Sequence, residues 1–97
     1  MQSYNVQGLT SIAAVIDNRA NEVGIALFTP YLSKVTTTQL IDNSLYTQTL
    51  RFLHLFEVKT VIISQSLIGT PLYLVLTSNR ESLDMKLLVL ARSLFSE

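Results

Sequence analysis

The chain has no cysteine, a single histidine, three glycines and two prolines in 97 residues. Without Cys there is no disulfide scaffold, no thiolate metal site and no cysteine nucleophile, which accords with a reducing compartment. His54 stands alone, whereas histidine metal cages usually draw on two or three imidazoles. It also lacks a Ser or Cys at nucleophile spacing and an orienting acid, so no triad is outlined. Gly8, Gly24 and Gly69 are scattered, and neither GxxxxGK[ST] nor GxGxxG occurs, so no familiar phosphate cradle is present. Charge is scarce as well. Charged residues are 14% of the chain, against roughly 25% in an average soluble domain. Seven Lys+Arg offset seven Asp+Glu, which leaves no basic field to hold a phosphate backbone unaided. No apolar run reaches the ~18–20 residues of a membrane span, and the polar Met1 to Gly8 lacks the layout of a secretory signal.

What the chain does have is apolar mass. Hydrophobic residues make up 48% of it, which excludes intrinsic disorder. The length allows one domain. A domain this small buries only about 60–68% of its unfolded surface, so part of its apolar complement must stay outside. That favours a fragment of a larger protein, with an extended lead-in over residues 1–10 and one α/β domain over 11–97.

Ser11-Ile-Ala-Ala-Val-Ile-Asp17 is an apolar run of strand length, suited to a central strand. Asn18-Arg-Ala-Asn21 supplies turn chemistry, and Val23 to Thr29 follows closely enough for a hairpin ended by Pro30. Gly24 inside that strand predicts a bulge or a close backbone approach. Lys34 to Ile41 is a third strand, and its Thr run belongs near a sheet edge. Asp42, Asn43 and Ser44 are N-cap candidates for a helix through Glu57, whose apolar stripe includes Leu45, Tyr46, Leu50, Phe52, Leu53 and Phe56. Val58 to Ser64 reads as a buried fourth strand, and the strand–helix–strand order favours a right-handed crossover into a parallel pair. Thr70-Pro71 is a helix-start signal, and Leu72 to Thr77 is read as a helix although its Tyr, Val and Thr suit a strand as well. Ser78 and Glu81 fit a capping box opening a last helix with Leu83, Leu87, Leu90 and Leu94 on one face. Glu81 and Asp84 near its start and Arg92 near its end suit the helix dipole. The order β-β-β-α-β-α outlines a ribonuclease-H-like mixed sheet, truncated before its last strand. The fourth strand would then be an open edge, with Val61, Ile62 and Ile63 as a candidate partner-docking site.

Metal-dependent nucleases of that fold gather carboxylates on the first strand and its neighbours. Asp17 ends the first strand and Asp42 precedes the first helix, but Glu22 and Glu57 are not spaced to converge with them. A hairpin-end acid and a helix cap account for both by local causes. Arg19 and Lys34 are weak phosphate-contact candidates at strand ends, weighed against solubilising surface charge. Tyr4, Tyr31, Tyr46 and Tyr73 fall on separate segments and form no evident stacking platform.

The set Ile12-Ala-Ala-Val-Ile-Asp-Asn-Arg19, Glu22-Val-Gly-Ile-Ala-Leu27, Asp42-Asn-Ser-Leu-Tyr46 and Thr49-Leu50, with Glu57 and Val61-Ile-Ile63, resembles the connector domain of MutS-family proteins, most closely the meiotic homologue-four group. The resemblance spans roughly residues 11 to 64 and lies in the order and spacing of degenerate motifs. Phe56-Glu57 stands where the family often has Pro before the acid. The resemblance implies a non-catalytic connector and docking domain of an ATP-gated DNA clamp in the nucleus. Such clamps embrace recombination intermediates, including Holliday junctions, and promote crossing over. The implied partners are a homologue-five-type second subunit and MutL-type or other crossover proteins. ATP and Mg belong to domains elsewhere in the larger protein, with no cofactor in this chain and no membrane contact. A ribonuclease-H-like metal-dependent nuclease using Asp17 and Asp42, or a small longin-like adaptor, are the alternatives.

Overall fold

The computed structural model describes residues 10–18 and 21–91. Residues 1–9 of the lead-in, Arg19, Arg92 and Leu94 lie outside them. A five-strand mixed sheet carries two helices in the order β1 (Ser11–Asp17), β2 (Glu22–Thr29), β3 (Lys34–Ile41), α1 (Thr47–Leu55), β4 (Val58–Ser64), α2 (Pro71–Ser78) and β5 (Lys86–Leu90), with one-turn 3-10 helices at Pro30–Leu32 and Gln65–Leu67. In space the strands run β3-β2-β1-β4-β5. The first three form an antiparallel meander. β4 joins β1 in parallel, after a register shift between Ser11 and Ile12, and β5 joins β4 in parallel.

The last third corrects two expectations. Residues 86–90 are a strand, not part of a helix, so a fifth strand is present within the chain. Ser78 does not open a helix. It ends α2, where its hydroxyl donates to the Leu74 carbonyl. Asp84 takes a left-handed backbone (φ 54°) in the turn that follows, and this breaks the helical path on which Leu83 and Leu87 would share a face. Leu87-Leu88-Val89-Leu90 is also a continuous apolar run, and a strand places its alternate residues on the two faces of the sheet. The four-three-four leucine spacing matched a helix by coincidence.

The second correction follows from the first. β4 is flanked by β1 and β5, so the Val61, Ile62 and Ile63 backbone is paired on both sides and forms no edge. Val61 and Ile63 are fully buried and Ile62 half-buried. The sheet's edges are β5 and the Thr-rich β3.

One face of the sheet makes the core. Ala13, Val15, Val23, Ile25, Leu27, Val61 and Ile63 point to it, and Leu53 of α1 and Leu72 and Leu76 of α2 are buried in the same cluster. Both helices therefore cover this face. The opposite face carries Ile12, Ala14, Ile16, Ala26, Phe28 and Leu88. Ile16 is 44% exposed, Phe28 39% and Leu88 41%. Gly24 lies on that side without a bulge. A Cβ there would sit 2.9 Å from Ile16 Cγ1, so the glycine serves a close approach.

Candidate functional site

The two acids singled out by sequence converge on one tyrosine. β1 delivers Asp17 to its C-terminal end, and the segment between β3 and α1 returns Asp42 and Tyr46 to the same end of the sheet. Asp42 is held there by its own amide, which donates to the Asn21 carbonyl at 2.9 Å. Tyr46 occupies the position before α1 in a left-handed conformation (φ 55°) with no side-chain cap of its own, an unusual backbone for a bulky residue. Its ring is buried, and its hydroxyl donates to Asp17 Oδ2 over 3.4 Å. Burial, then the negative charge of Asp17, its hydrogen bond and the charge of Asp42 raise the phenol above its ordinary value.

Asp42 is the cap of α1, acting from outside the helix. Its Oδ1 accepts the amides of Asn43 (2.8 Å) and Gln48 (3.0 Å), and its Oδ2 accepts the Thr49 amide (2.8 Å) and hydroxyl (2.6 Å). Asn43 Oδ1 adds bonds from the Leu45 and Thr47 amides. Burial alone would raise the Asp42 carboxyl. The hydrogen bonds from the Thr49 side chain and from the Gln48, Asn43 and Thr49 amides outweigh it and hold the group below its ordinary value. These donors serve the orphan amides of a helix start and engage both carboxylate oxygens of Asp42.

Sequence reasoning found Asp42 as a cap but gave the helix too early a start. Leu45 lies outside α1 and is exposed, and Phe56 is its half-exposed end, 4.6 Å from the Phe52 ring. The missed partner is Thr49, fully buried yet polar. The signal was an Asp seven residues ahead of a Thr inside an apolar stripe.

The other candidates are dispersed. Lys34 is exposed and pairs across from Thr29 at the end of β2, whereas Arg19 lies outside the described residues. His54 is exposed on α1. Among the described residues no group of three or more His, Asp or Glu side chains gathers where it could hold a metal ion, and no helix is long and apolar enough to cross a membrane. The chain matches no protein-family model, and no curated protein matches its sequence at a significant level.

Proposed function

We propose that the chain is a non-catalytic connector and protein-docking domain of the MutS type, with a ribonuclease-H-like sheet. The observation that carries the reading is the strand order: a meander whose first strand lies at the centre and continues into two parallel strands. The residues that carry the resemblance sit coherently on this frame. Ile12 to Asp17 form the central strand, Val23 to Leu27 its antiparallel neighbour, and Asp42 to Tyr46 the entry to the first helix. Further support comes from Asp42, whose oxygens serve the chain's own amides instead of facing outward as metal ligands do.

In this reading ATP, Mg and branched DNA are handled by other domains of a meiotic crossover clamp in the nucleus. The domain's own task is to meet a homologue-five-type subunit or a MutL-type protein. Calorimetric titration of the chain with each of those proteins tests it. Saturable binding to one of them is expected, and binding to neither overturns the reading. Cleavage of a hybrid or branched duplex that needs Mg²⁺ or Mn²⁺ and disappears in Asp17→Asn would hand the chain to the nuclease alternative.

A further inference from the structure

Among the described residues no strand pairs with the outer side of β3. Natural sheet edges are blunted by Pro, bulges or several charges. β3 has none of these: its ladder with β2 runs unbroken from Lys34 to Ile41, and Lys34 is its one charged residue. The chain leaves the end of β3 towards β1, where Tyr46 reaches Asp17, and so does not cross the edge. The open hydrogen-bonding groups follow from the register. The Asp42 amide donates to the Asn21 carbonyl at 2.9 Å, which makes those two a hydrogen-bonded pair. Alternation then commits Thr36, Thr38 and Leu40 to bonding β2, and turns the N–H and C=O groups of Val35, Thr37, Gln39 and Ile41 outward.

We propose that β3 pairs antiparallel with β3 of a second copy of the chain, about a two-fold axis perpendicular to the sheet at Thr38. Such an axis keeps the helices of both copies on one side and joins the two five-stranded sheets into one. Val35 then faces Ile41 of the partner subunit, and Thr37 faces Gln39 of the partner subunit. Every outward N–H and C=O of these four residues is paired. Centring the axis on Thr37 sends Ile41 to Ser33, which is left-handed (φ 49°). Centring it on Gln39 sends Val35 to Asn43, whose amide is already bonded to Asp42 Oδ1. Either shift loses hydrogen bonds.

The side chains select the same register and the same occupant. Val35 is 63% exposed and Ile41 80%, and they lie equidistant from Thr38, so the axis covers each with the other. Paired β-branched residues of this kind stabilise a ladder. On the helix side Lys34 comes level with Asp42 of the partner subunit, a residue of opposite charge. An unrelated strand would have to bring its own matching set, whereas a second copy supplies it by symmetry. The contact is one strand deep, below the ~800 Å² per partner of a standard interface, so the dimer is a reversible one. This pairing does not depend on the connector role.

Sedimentation equilibrium and amide hydrogen exchange, both from micromolar to submillimolar chain, test it. The wild type is expected to show a monomer–dimer equilibrium. The amides of Val35, Thr37, Gln39 and Ile41 should slow as the dimer fraction rises, and those of Thr36, Thr38 and Leu40, already bonded to β2, should change less. Thr37→Pro removes an outward donor at an edge, where Pro is tolerated; it is expected to keep the circular dichroism spectrum and leave the chain monomeric. Ile41→Lys serves if that variant unfolds, and should weaken association about tenfold. A wild type that stays monomeric overturns the proposal, whether the edge is open or taken by another segment. So does a dimer in which the outward amides of β3 gain no protection, or one that persists at wild-type strength in the folded variants.

Discussion

Among the described residues the Asp42 carboxylate accepts four hydrogen bonds, all from the entry to α1. It holds the first turn of α1 and is itself shielded from water. Asp42→Ala removes the cap and leaves the Thr49 hydroxyl buried without that partner, so a loss of about 2–3 kcal/mol is expected in urea unfolding. The pH dependence carries its own signature. The folded carboxyl lies below its ordinary value of 3.8, so its contribution is complete above that pH and is lost as the pH falls through the lower folded value. Asp42→Asn should therefore flatten the stability profile below about pH 4. Tyr46 works in the opposite direction. Its folded value is raised from 10.0, so its contribution is present below that pH and disappears as the pH rises through the folded value. Tyr46→Phe should flatten the alkaline limb, and chemical unfolding across the two pH ranges separates the two residues.

At the scale of elements, α1 has a left-handed non-glycine residue at each end, Tyr46 before it and Glu57 after it. Glu57 links α1 to β4 with φ 51°, a left-handed position that helix ends usually give to Gly. Glu57→Gly should raise stability by about 0.5–1 kcal/mol, because relief of the left-handed backbone exceeds the extra entropy of glycine in the unfolded chain; thermal unfolding measures it. On the buried side of the same helix, Leu53→Ala should cost about 2–5 kcal/mol, since Leu53 is only 1% exposed. A loss below about 0.5 kcal/mol, typical of surface sites, would show that this side chain faces solvent.

The meander, β4 and both helices were legible because short turns, β-branched runs and Thr70-Pro71 are local signals. The strand at Lys86–Leu90 was not. Its leucines satisfy both a helical and a strand period, and the choice was made by β4, a tertiary neighbour on which a continuous apolar run can pair. The docking edge assigned to Val61, Ile62 and Ile63 failed for the same reason. Of the Asp17–Tyr46–Asp42 group, the two acids could be picked out by residue type. Their convergence could not, because it depends on how the segment between β3 and α1 folds back over the end of β1.

For the molecule as a whole, the sheet is made of two halves with different reach along the chain. β1, β2 and β3 pair with their immediate sequence neighbours, whereas β1 meets β4 only after Ser11 and Val58 have been brought together. Closing that long loop costs entropy before any pairing rewards it. The meander is thus expected to order first, with β1 offering a free side until α1 delivers β4 and α2 delivers β5. Pulse-labelling hydrogen exchange during refolding should protect the amides of Ala14, Ile25 and Ala26 ahead of those of Ile62 and Leu88. The central strand therefore acts as a seam in time as well as in space: a chain stalled at that step presents an apolar, unpaired β1, which makes slow closure of the parallel half the point of greatest aggregation risk.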